Sequence, residues 1–163
     1  MFTSCGSDDE YQELTVNGVC KQNVSLEGKK DQTVTEPKVE ANLEEMLKAA
    51  TSGYDGTRIA SGSLNITGST YVKITGLKDG VTLKNLKIKL NGQEKNFGDI
   101  TSQKANLYTD EHLEFFKAAF NRMVSQHSWV IEVTHSPSED ITAEDNVKIE
   151  FSFDGSFKYN KKV

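Results

Sequence analysis

From Val147 to Phe153 apolar and polar residues alternate without a break. Val147, Ile149, Phe151 and Phe153 fall on one side, and Lys148, Glu150 and Ser152 on the other. A period of two sends successive side chains to opposite faces of a strand, so this run has one dry face and one wet face. Such a strand belongs in an antiparallel sheet, because parallel sheets are covered on both sides and read as continuous apolar runs. The pattern returns elsewhere. Trp129, Ile131 and Val133 alternate with Glu132 and Thr134, and Leu86, Ile88 and Leu90 alternate with Lys87 and Lys89. Shorter strands are marked by Leu14 and Val16, Leu64 and Ile66, and Val72 and Ile74. The step from Leu83 to Leu86 is odd, so a bulge or a strand start lies between them. Gly68-Ser69, Lys78-Asp79-Gly80, Asn91-Gly92 and Asp154-Gly155 carry the turn chemistry that would separate these strands.

Two stretches have the helical period instead. Val39, Leu43, Met46, Leu47 and Ala50 share one face, with Pro37 suited to the first turn and Gly53 to the position past the end, which predicts a helix over about 37–52. Leu113, Phe116, Phe120, Met123, Val124 and His127 form a second stripe, with Thr109 as N-cap and Asp110 and Glu111 in the first turn, which predicts a helix over about 109–127. Strands before and after each helix point to a mainly β, α+β chain. The expected fold is an antiparallel β-sandwich of immunoglobulin-like architecture with two amphipathic helices packed on it. A small barrel or an α+β layer fold is the alternative.

With 163 residues, 36% of them apolar, the chain is long enough for one domain with a real core. Its pI of about 5.3 argues against a general nucleic-acid binder. The formal charge of −5 is local: Asp8, Asp9, Glu10 and Glu13 put −4 on residues 1–13, leaving −1 for residues 14–163. Residues 6–13 are polar and aperiodic, as expected of a solvated tether.

The N-terminus carries the most specific signal. Phe2-Thr3-Ser4-Cys5 places an apolar residue and two small residues before a cysteine. This resembles the lipobox of bacterial lipoproteins, and Ser7-Asp8-Asp9-Glu10 resembles the acidic export signal of surface lipoproteins from Bacteroides and its relatives. The resemblance implies that residues 1–4 are the end of a signal peptide. It further implies that Cys5 carries the lipid, that 5–13 is anchor and tether, and that 14–163 is the globular domain. It places the protein on the outer membrane, facing outward. Each buried methylene contributes about 0.8 kcal/mol, and one chain binds only marginally, so two or three acyl chains make the anchoring effectively permanent. Cys20 is then expected to be a small buried hydrophobe. A Cys5–Cys20 disulfide is the competing arrangement, and the two exclude each other.

Chemistry-bearing residues are sparse. His112, His127 and His135 lack metal-ligand spacing, and each fits a structural place: a helix start, a helix end and a strand end. The acidic loop after Pro137 matches no EF-hand. Lys73, Lys78, Lys84, Lys87, Lys89 and Lys95 make a local basic excess, in which Lys87 and Lys89 read as the wet face of a strand. No catalytic residue, metal ligand or cofactor is nominated. Tyr54, set in a Gly53-Tyr54-Asp55-Gly56 loop, is the one aromatic expected to touch a ligand. The expected function is a surface-anchored, non-catalytic binding lipoprotein whose ligand is a glycan or a protein. A structural subunit of a fimbria-like assembly is the alternative, with a small hydrolase behind both.

Overall fold

A computed structural model describes residues 10–163. Two antiparallel sheets pack face to face. In the first, β1 (Tyr11–Ser25) lies at the outer edge and pairs along its whole length with β9 (Lys148–Lys162), from Tyr11 opposite Lys162 to Ser25 opposite Lys148. The other side of β9 is shared by β4 (Ile59–Leu64) and β5 (Tyr71–Thr75). In the second, β8 (Ser128–Pro137) takes β2 (Val34–Thr35) and β3 (Val39–Asn42) on one side and β6 (Leu83–Leu90) on the other, and β7 (Gln93–Ile100) pairs with β6. The mainly β sandwich with two helices is the architecture that the alternating runs demand.

The run that begins at Val147 does not stop at Phe153. Gly155, Phe157 and Tyr159 continue the same inner face, so Asp154-Gly155 is strand and not the expected turn. The glycine has a packing reason. A Cβ there would come within 2.6 Å of the Phe157 ring and 2.8 Å of the Phe120 ring. Around this face the aromatic core assembles: Trp129 stacks on Phe153 at 4.8 Å, and Phe120 lies 5.5 Å from Phe157.

The first helix is shorter than its periodicity implies. Residues 39–42 are β3, paired with Ile131–Ser128, and only Leu43–Ala50 form α1. Val39 and Leu43, which read as one helical face, straddle the junction, because ladder hydrogen bonds to β8 claim the backbone up to Asn42. The Asn42 side chain then accepts the Glu45 amide at 2.9 Å and starts the helix. The second helix opens with a 3-10 turn at Asp110–His112 and continues as α2 (Leu113–Gln126). Thr109 makes no side-chain capping bond. His127, at φ +56°, closes α2 with its amide on Met123 and Val124.

The molecule has two distinguishable poles. Tyr11 opposite Lys162, and the Val163 amide on the Glu10 carbonyl at 3.1 Å, place both described chain ends at one pole. The tether expected over 5–13 therefore gives way to strand at Tyr11. At about 3.3 Å per residue, about 46 Å of β9 separates that pole from Lys148. At the far pole, loops 26–33, 76–82 and 138–147 meet: the Leu26 amide bonds Val147, Gly28 and Ile141 exchange two bonds, and the Ser138 amide bonds Thr82.

Candidate functional site

Between the two sheets one seam stays open. On one bank is β7, the free edge of the second sheet. On the other is the segment 101–112, which returns to the first sheet by pairing with β5: the Ile74 amide bonds Ala105 and the Leu107 amide bonds Val72. Two 3-10 turns, Ser102–Lys104 and Asp110–His112, bridge the gap. They leave a cleft of about 560 Å³, the size that takes a small ligand.

The wall of the cleft follows from a local irregularity. The β6–β7 register shifts between Leu86 opposite Gly98 and Lys87 opposite Asn96, so Phe97 is the extra residue of a bulge. Gly98 sits at φ +77°, where a side chain is strained, and Asn85 on the facing strand sits at φ +51°. The Asn85 amide donates to Asp99 at 3.0 Å, fixing this carboxylate at the rim. The odd Leu83–Leu86 step forecast the neighbouring shift, between Leu83 opposite Ile100 and Leu86 opposite Gly98, and not the bulge at Phe97.

Phe97 and His112 meet edge to face at 4.6 Å, with Phe115 and Phe116 behind them. His112 Nδ1 is buried and has no hydrogen-bond partner. Burial is the largest influence on its pKa and lowers it, with Glu111 opposing and Lys95 adding a smaller push down. The ring is thus neutral at pH 7, with one nitrogen able to accept a hydrogen bond. Gln103, Lys104 and Asn106 add donors along the same cleft, and Asp99 and Glu111 add acceptors. Ser102 Oγ reaches Asp79 at 2.5 Å, so the cleft is tied to a far-pole loop. Chemically, this is a mixed polar surface beside an aromatic wall, suited to a hydroxyl-rich ligand. Among the described residues no three of the metal-binding types are grouped to hold an ion.

The residues singled out in the sequence lie elsewhere. Cys5, Ser7, Asp8 and Asp9 fall outside the described residues, and Glu10 is exposed where the described chain begins. Tyr54, offered by the sequence as a ligand contact, is only 5% exposed. Its ring lies edge-on to Tyr159 at 5.2 Å, and its hydroxyl donates to the Thr57 carbonyl. Burial first, then Glu44 and Asp55, push its pKa up to about 12. A loop tyrosine between glycines turned inward because Tyr159 offered it a partner, which local sequence cannot show. Cys20 is a fully buried thiol whose pKa burial pushes up to about 12, the inert state expected of it.

His112 and His127 sit at the start and the end of α2, as their sequence places imply, and His135 departs from its own. His127 Nδ1 lies 2.7 Å from Glu44 Oε2, which also accepts the Ile59 amide. His135 is not at a strand end but inside β8, 2.6 Å from buried Glu36. Of the three, His112 is the one that lines the seam cleft. Phe97, Gln103 and Asn106 belong to a stretch without periodicity, and the odd Leu83–Leu86 step was the one available pointer to this place. Comparison of the chain with protein families, with curated proteins and with solved structures returns no match, so the seam cleft stands on its own geometry.

Proposed function

We propose that the protein is a non-catalytic binding module on the outer face of the outer membrane, held by a lipid on Cys5, with a glycan or a protein as ligand. The observation that carries the binding role is the seam cleft, where the neutral ring of His112 and the Phe97 wall stand among amides and carboxylates. This chemistry favours the glycan, since sugar hydroxyls both donate and accept. Position supports the same reading. Ile100 at the cleft pairs with Leu83, which pairs with Pro137 near the far pole, so the cleft lies in the half of the sandwich away from Tyr11. A short acidic tether leading straight into β1 would stand the sandwich upright and present that half outward.

The test has two parts. Mass spectrometry of the native membrane fraction should find Cys5 acylated; an unmodified Cys5 there sinks the anchoring. A panel of neutral oligosaccharides, read by the NMR signals of the His112 imidazole, should find a ligand. If intact protein binds nothing on glycan and protein arrays, the binding role falls.

A fimbria-like structural subunit is the second reading, favoured by the open outer edge of the fifteen-residue β1, which could accept a strand from a neighbour. A protein that stays monomeric in sedimentation at high concentration removes it.

A further inference from the structure

At the far pole, loops 76–82 and 138–147 enclose a second cavity of about 220 Å³. Its floor is apolar. Ile141 and Val147 are almost fully buried, while Leu77 and Val81 are partly exposed along its lining. Its walls are fixed by backbone: Gly28 and Ile141 exchange hydrogen bonds of 2.9 and 2.8 Å, and Gly76 approaches Asn146 so closely that a Cβ would lie 2.3 Å from its carbonyl oxygen.

The rim is charged and unevenly matched. Asp145 accepts the Thr142 amide with one oxygen and pairs with Lys78 at 3.1 Å through the other. Asp140 accepts the Lys30 amide with one oxygen at 2.7 Å, leaving its second oxygen open. Glu139 makes only a loose 3.8 Å contact with Lys30, both side chains being 58% exposed. Of the three carboxylates in the lining, only Asp145 has a close ammonium partner, Lys78, while Glu139 is held loosely and Asp140 by a backbone amide. An apolar stem would cover Leu77, Val81 and Ile141, and an ammonium at its tip would reach the open oxygen of Asp140. A carboxylate-tipped chain would meet like charge, and an uncharged one would desolvate Asp140 without pairing it. Lys78, already seated on Asp145 with its own ammonium, shows this rim accepting such a group.

We infer that the far-pole cavity docks a lysine side chain presented by a partner protein. The site is separate from the seam cleft and does not depend on it.

The probe is Nα-acetyl-lysine methylamide, titrated into the full chain and followed by the methyl NMR signals of Val81 and Ile141. The norleucine and glutamate analogues, of similar apolar stem and acidic tip respectively, are the comparators. Lysine should move these methyls, and the other two should not. Asp140→Asn keeps the acceptor for the Lys30 amide but loses the charge, and should weaken lysine binding about tenfold, as expected for one charge-assisted hydrogen bond. Raising the salt to about 1 M should weaken binding in the wild-type chain, so the test survives an unstable variant. Norleucine moving the methyls as strongly as lysine, or lysine binding indifferent to salt and to Asp140→Asn, overturns the inference.

Discussion

Glu36→Ala would strip two donors of their acceptor in one step. The Glu36 Oε2 atom takes His135 Nε2 at 2.6 Å and the Glu27 amide at 3.0 Å. The His135 side chain is 0% exposed and the Glu36 side chain 5%, so water does not replace what is lost. His135 Nδ1 already lacks a partner, so without Glu36 the ring would be wholly unpaired inside the sandwich. Each orphaned buried donor costs about 1–3 kcal/mol, and removing one member of a buried pair costs about 3–5 kcal/mol. A loss of about 4 kcal/mol in a chain of this size lowers the melting temperature by roughly 8–16 °C. Urea and thermal unfolding of the variant give the number directly. Glu36→Gln, which keeps an acceptor oxygen, should lose less than half as much. The double change Glu36→Leu with His135→Leu removes both polar partners and should recover most of the loss, because an apolar pair leaves nothing but the Glu27 amide unpaired. A loss under about 1 kcal/mol for Glu36→Ala, or a double variant as damaged as the sum of the singles, would refute the reasoning.

Gly155→Ala pushes a methyl group into the Phe120 and Phe157 rings, and chemical denaturation should show a loss of about 1–3 kcal/mol. Tyr54 binds its proton more tightly folded than unfolded, with a pKa of about 12 against the usual 10.0; stability should therefore fall as pH rises between those values, and Tyr54→Phe should flatten that part of the alkaline unfolding curve. Cys20 should resist a thiol reagent at pH 8 in the native protein and react on adding denaturant; native-state labelling at the rate of a free thiol contradicts its burial. The His112 imidazole should titrate below the ordinary 6.5 in an NMR pH series, because burial of the ring dominates over Glu111; a midpoint above 6.5 would mean that the acid governs it.

Much of the sandwich was written locally. The alternation at 147–153 and 129–133, the odd step at Leu83, and the inward Trp129 all report the environment of their own side chains, and that environment is what periodicity encodes. What escaped was decided by distant partners. Residues 39–42 are strand because β8 lies beside them. Gly155 lies inside a strand because Phe120 comes down onto it from α2, although beside Asp154 it has the signature of a turn. Tyr54 is inward because Tyr159 meets it from the end of β9. The seam cleft is harder still, since its banks are Phe97 on one sheet and a segment bound to the other, and nothing in either stretch names its opposite. By contrast, the proposed lipobox needs no partner in the fold, because a signal peptidase would read it as an unfolded string.

The open edge of β1 acquires another meaning if its N-terminus is tethered to a bilayer. Two free copies could join edge to edge antiparallel, the more stable pairing, and such a dimer would put their first residues at opposite ends of a strand about 46 Å long. Two copies rooted in one leaflet stand the same way up and cannot do this. Confinement to a surface would thus withhold from every neighbour the orientation in which this edge is most adhesive, and a copy shed from the membrane would regain it.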